Sequence, residues 1–183
     1  TINSKGAQGT NGFLTDADVN KLNIMAAYTK ENYHLSATYT TQHGKFDAFH
    51  YYSTDAIDES VDKSGYALRA WWRPDETGSA IPSISVGYDT SETDATSNSG
   101  TDMYFVGLQW QDMFTADDRI GLALGQPQKR EDETTDPFAW EAYYQFQVND
   151  SVSVTPAVFG GTDRNGTAGS DLTGVVVETT FKF

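Results

Sequence analysis

A period of two constrains this chain more than any other feature. In "YHLSATYT", Tyr33, Leu35, Ala37 and Tyr39 share one side of an extended backbone and His34, Ser36, Thr38 and Thr40 the other, because successive side chains of a strand point to opposite faces. "YALRAWWR" repeats the plan with Tyr66, Leu68, Ala70 and Trp72 against Ala67, Arg69, Trp71 and Arg73. So do "YFVGLQWQ", with Tyr104, Val106, Leu108 and Trp110 on one face, and "FAWEAYYQFQV", with Phe138, Trp140, Ala142, Tyr144, Phe146 and Val148. Weaker members cover residues 22–29, 84–89, 120–125, 152–158 and 173–183. That makes about nine strand-length segments and no helical period, so the expected fold class is all-β.

The connections alternate between short and long. They are short after Tyr28, Arg73, Gln111 and Val148, and long and rich in Asp, Ser, Thr and Gly over residues 42–64, 90–101, 126–137 and 160–171. Short turns then lie at one end of an up-and-down antiparallel meander and long loops at the other, the habit of transmembrane β-barrels. On this reading residues 1–20 form an external loop and residues 21–183 the C-terminal part of a barrel. An odd strand count points to a piece of a larger, even-stranded barrel.

Alternation alone does not separate a membrane barrel from a soluble one, but the side chains do. Within the strands the apolar face carries no Asp, Glu, Lys or Arg, whereas Arg69, Arg73, Asp89, Glu141, Glu178 and Lys182 all fall on the other face with His34 and Gln109. A basic residue facing lipid at the midplane costs about 2–4 kcal/mol, so strict exclusion is expected on a lipid face. Aromatic residues bracket that face: Tyr33 with Tyr39, Tyr66 with Trp72, Tyr104 with Trp110, Phe138 with Tyr144. Six residues at about 3.3 Å each separate the members by roughly 20 Å, close to the distance between two aromatic girdles. The opposite face is small and polar, as suits a wet lumen. The alternative is a soluble β-barrel binding module with its Tyr and Trp turned inward around an apolar ligand.

Charge and motifs exclude other classes. A formal net charge of -14 and a pI near 4.3 leave too few Lys and Arg for a nucleic-acid surface. Absence of cysteine removes disulfides and thiolate metal sites. His34, His43 and His50 form no HExxH pair and GxSxG is missing, so no enzyme activity and no cofactor are expected. Asp163, Asn165 and Asp171 offer oxygen ligands for a loop-bound Ca²⁺, without the spacing of an EF-hand. The acidic loops "DAIDES", "DTSETDATSNSGTD", "KREDETTD" and "GTDRNGTAGSD" could act as a cation funnel, or serve as solvated surface or as a contact with lipopolysaccharide through divalent cations. Arg69 and Arg73 are expected to form a positive ladder facing Glu141 and Glu178 across a lumen, with plain ion pairing along the wall as the alternative.

"VGLQWQDMF", "IGLALGQPQ", "FAWEAYYQFQVNDSVSVTPAVF" and the closing "GVVVETTFKF", in that order, resemble the C-terminal barrel of cyanobacterial outer-membrane porins. That family carries an N-terminal S-layer-homology domain and has kinship to carbohydrate-selective porins. The resemblance implies a channel in the bacterial outer membrane that passes ions and small hydrophilic solutes, contact with outer-membrane lipids, and a homotrimer. It also implies that the last strand, with Phe181 and Phe183, is the signal read by the barrel-assembly machinery.

Overall fold

The computed structural model describes residues 2–5, 19–43, 62–94 and 100–183. Ten strands follow one another in chain order: β1 (Ile2–Lys5), β2 (Val19–Lys30), β3 (Tyr33–His43), β4 (Asp62–Trp72), β5 (Ser83–Thr93), β6 (Thr101–Gln111), β7 (Arg119–Arg130), β8 (Phe138–Asn149), β9 (Val152–Thr162) and β10 (Leu172–Phe181). Each pairs antiparallel with its neighbours in sequence, giving one up-and-down sheet in the order β1 to β10. Among the described residues β1 and β10 do not meet, so the sheet is open. The only helical feature there is a single 3-10 turn, Arg164–Gly166.

All nine expected strands are present as β2–β10, and most run longer than their alternating stretches. β5 continues through Asp89 to Thr93, because polar residues 90–93 carry no pattern yet still pair with β4 over Lys63–Tyr66. One expectation changes: instead of residues 1–20 forming a loop throughout, Ile2–Lys5 pair with Val19–Leu22. "INSK" has no alternation to announce it, and only its partner defines it. From β2 onward the strands have ten to twelve residues. Globular strands cluster near five or six, whereas a tilted strand crossing a bilayer needs about 9–11.

The register keeps each face continuous across the sheet. Tyr33 sits opposite Trp72, Leu35 opposite Ala70, Ala37 opposite Leu68 and Tyr39 opposite Tyr66. Leu68 then faces Tyr88, Val86 faces Val106, Val106 faces Leu124, and Ala142 faces Val158, itself opposite Val175. A slip of one residue at any pair would turn every side chain of that strand to the wrong face.

Among the described residues no second layer covers this sheet. The extensive contacts between elements join consecutive strands, and the buried apolar side chains among the described residues are small: Ala157 in a strand and Pro137 in a connection. Leu35 is 57% exposed, Val177 66% and Val175 78%. The buried residues are polar instead: Ser36, Thr40, Gln42, Lys63 and Ser153 in strands, and Asp118 in a turn. All the strand residues in that set lie on the polar face. With one layer, covering of a single face follows from the sheet curving around it, so the polar face is the inner one.

The short connections are tightly built. In the β6–β7 turn the Asp118 carboxylate is fully buried and accepts hydrogen bonds from the amides of Met113 (2.7 Å), Phe114 (2.9 Å) and Thr115 (3.0 Å). The Tyr144 hydroxyl donates a fourth at 3.0 Å. Burial by itself would raise the pKa of this carboxyl, but the four donors together outweigh it and hold the group below the ordinary carboxylate range. The stabilisation is therefore present above the usual aspartate pKa and is lost only as pH falls through the lowered folded value. Asp118→Ala leaves three amides without an acceptor. The unfolding midpoint should fall by several degrees at pH 7, and the gap between variant and parent should close under strongly acidic conditions. An unchanged midpoint at neutral pH would mean that the turn holds without its carboxylate.

Candidate functional site

The inner face is the natural place for chemistry, since it carries most of the strands' charge. Its central rows follow from the register. One runs Ser36, Arg69, Gly87, Phe105, Gly125, Ala139, Gly161 and Leu172; the next runs His34, Trp71, Ser85, Gly107, Ala123, Glu141, Phe159 and Gly174. His34, Arg69, Asp89, Gln109, Glu141 and Glu178 all share this face, as the alternation requires.

The expected Arg ladder takes a different form. Arg69 grips Asp89 on the adjacent strand through two hydrogen bonds of 2.6 Å, and its guanidinium lies 5.6 Å from the Phe105 ring centre. Such a fork-to-fork pair largely neutralises both charges. Arg73 lies one residue beyond the end of β4, donates to the Glu31 carbonyl at 2.9 and 3.2 Å, and sits over the Trp71 ring at 5.6 Å. The alternative of ion pairing along the wall therefore describes Arg69, with Asp89 in the partner role that sequence did not assign. Glu141 stands four strands away on β8 and forms no ion pair among the described residues; Glu178 accepts only a 3.3 Å bond from Thr180. Lys182 follows the last strand, and its amide extends the β9–β10 pairing by bonding to the Ser151 carbonyl at 2.8 Å.

His34 shares a 2.7 Å hydrogen bond with Thr29 and stacks on Trp71, the rings 6° from parallel and 5.9 Å apart. Gln109 donates to the Tyr143 hydroxyl at 2.8 Å. His50 and the side chain of His43 lie outside the described residues, as do the "DAIDES" loop and most of the opening segment.

Sequence reasoning gave the aromatic side chains of the inner face no role. Phe105 faces Gly87 across the β5–β6 pairing, Tyr143 faces Gly121 across β7–β8, and Phe159 faces Gly174 across β9–β10. In each pair the ring lies over the glycine so closely that a methyl group there would overlap it. The rings thus lie along the wall instead of projecting from it. The available signal was a glycine and an aromatic residue on the polar parity of adjacent strands, legible only once the register is known.

On the outer face the candidate girdle residues divide between the two ends. Tyr33, Trp72, Trp110 and Tyr144 lie toward the short turns, and Tyr39, Tyr66, Tyr104 and Phe138 toward the long loops. Tyr39 and Tyr66 pack with ring centres 5.1 Å apart. Trp110 Nε1 donates to the Ala80 carbonyl at 3.0 Å, and Tyr144 reaches Asp118, so their polar tips end in the short turns. Amphipathic rings with one end apolar and the other anchored in polar backbone suit a boundary between hydrocarbon and water. Phe181 closes β10 opposite Val152, exposed on this outer face, and Phe183 lies two residues beyond.

Of the three oxygen-bearing residues expected as Ca²⁺ ligands, Asp163 and Asp171 are engaged in folding their own loop. Asp163 Oδ1 accepts the Gly169 amide at 2.7 Å, and Asp171 Oδ1 the Asp163 amide at 3.3 Å. No group of three or more His, Asp or Glu side chains converges on one point among the described residues.

No protein-family model, curated protein or solved structure matches this chain.

Proposed function

We propose that this chain is part of an outer-membrane porin, a transmembrane β-barrel whose polar face lines a water-filled channel for inorganic ions and small hydrophilic solutes. The inverted burial carries the reading: apolar side chains are exposed on the outer face, and the buried strand side chains are nearly all polar and lie on the inner face. In water such a layer would leave its large side chains solvated, forgoing the burial that drives folding at about 25 cal/mol per Å². In hydrocarbon the same face is already in its preferred medium, and the strand-to-strand ladder satisfies the backbone. Closure into a barrel follows from that demand, since an open edge has no place in lipid.

The resemblance to cyanobacterial outer-membrane porins, with a trimeric assembly in that membrane, belongs to the same proposal. The soluble binding module is less well supported, because it needs the Tyr and Trp face turned inward, whereas burial lies on the other side.

The test is conductance in a planar bilayer with a KCl gradient, using the intact protein refolded in detergent. Stepwise channels with a cation-biased reversal potential are expected, since Arg69 is neutralised by Asp89 while Glu141 and Glu178 have no cationic partner among the described residues. Replacing both glutamates with glutamine should roughly halve the cation preference, as a focused field scales with its charge. Folded, detergent-dependent protein that never conducts would end the transport reading.

A further inference from the structure

An inner-face cavity of about 400 Å³ lies between the β7–β8 and β9–β10 connections. Its size falls at the lower end of small-molecule sites, about 300–1,000 Å³. Its walls are of two kinds. Phe159, Leu172 and Pro137 make an apolar side, and Arg130, Glu133 and Arg164 bring charge.

The two loops are held in place. The Glu131 amide bonds to the Gly100 carbonyl at 2.9 Å, the Arg164 amide to the Ser170 carbonyl at 3.1 Å, and Gly166, with φ of +68°, approaches Glu133 so closely that a Cβ would sit 2.8 Å from its carboxyl carbon. Glu133 is thereby pinned with its side chain only 16% exposed.

The charge in this cavity is incompletely matched. Arg130 Nε lies 3.4 Å from both Asp132 and Glu133, so two carboxylates share one guanidinium. Glu133 Oε2 is buried and has no hydrogen-bond partner. Buried polar atoms are nearly always bonded, so this carboxylate, on a residue that lines the cavity, lacks a donor. Arg164 has the opposite need: the residue is exposed and makes no ion pair among the described residues. The nearby Asp163 and Asp171 carboxylates each accept a backbone amide and form no ion pair with Arg164.

We propose that this cavity binds a small zwitterion with an apolar body, the chemistry of a free α-amino acid. The ammonium group supplies the donor that Glu133 lacks, the carboxylate meets Arg164, and the side chain rests against Phe159, Leu172 and Pro137. Its place at a channel mouth rests on the porin reading; the binding itself does not.

L-leucine is the probe, with leucinamide and 4-methylpentanoate as analogues lacking the carboxylate and the ammonium group. Binding is measured by saturation-transfer NMR and calorimetry on the intact, detergent-folded protein, with heat-modified migration as the check on folding. Leucine should bind at least tenfold more tightly than either analogue. Arg164→Gln should weaken leucine about tenfold and erase its advantage over leucinamide, while Glu133→Gln should erase its advantage over 4-methylpentanoate. Arg119→Gln, at the short-turn end, removes the same charge and should change neither. The proposal is overturned if folded protein does not bind leucine, if the three compounds bind alike, or if Arg119→Gln weakens binding as much as Arg164→Gln. Leucine binding by protein that forms no channels would support the cavity and sink the porin; channels without leucine binding would do the reverse.

Discussion

Leu68→Lys should prevent stable insertion, while Ala67→Lys, one residue earlier in the same strand, should be tolerated. Leu68 lies between Tyr66 and Trp72 on the outer face, opposite Ala37 on one side and Tyr88 on the other, and is 48% exposed. A lysine there places its ammonium near the middle of the hydrocarbon, at a cost of about 2–4 kcal/mol. Ala67 faces inward opposite Asp89, where a lysine meets water and an acidic neighbour. Folding into lipid vesicles, followed by heat-modified migration and by urea titration of the inserted protein, reads the difference. The pair also separates the two function classes. If the outer face were simply solvent-exposed, Leu68→Lys would raise solubility without detergent and leave stability intact, and equal behaviour of the two variants would refute the lipid face.

Gly125→Ala should disrupt the β6–β7 pairing, whereas Gly121→Ala should leave the fold intact and alter the channel. Both glycines are on the inner face of β7, four residues apart. At Gly125 a methyl group would run into the Tyr104 carbonyl oxygen and come within 2.8 Å of Phe105 Cα. Those are backbone atoms, held close where the register shifts between Asp102 and Tyr104, and they cannot yield without breaking the ladder. Overpacking of this kind costs about 1–3 kcal/mol, and more where backbone must move. At Gly121 the obstacle is the Tyr143 ring, which can lift away from the wall at the expense of its 2.8 Å bond from Gln109. Gly125→Ala should therefore lower the yield of folded protein and its urea midpoint. Gly121→Ala should fold normally and conduct less, because a raised ring narrows the lumen. Similar midpoints for the two variants would show that the close approach at Gly125 is not structurally required.

The contrast between Arg69 and Arg73 shows how far sequence could reach into the candidate site. Their shared parity was legible, and with it the expectation that both belong to the polar side. Their partners were not: Asp89 is 20 residues from Arg69, and Glu31 offers a backbone carbonyl that no pattern marks. Arg130, Glu133 and Arg164 were visible only as parts of acidic loops. Their joint wall depends on how two loops fold against each other, and nothing local encodes that.

Sequence by itself determined the elements and their faces. Alternation of side chains along an extended backbone is a local property, so nine strands, their up-and-down order and the separation of an apolar from a polar face could be read without coordinates. Only the tertiary structure decided which residues stand beside one another. Register sets the aromatic rings over Gly87, Gly121 and Gly174, neutralises Arg69 with Asp89, and turns the unpatterned segment Ile2–Lys5 into a strand. Those outcomes depend on contacts between residues distant in the chain, where a shift of one position reverses every face, and a periodic pattern read one strand at a time carries no information about the alignment of the next.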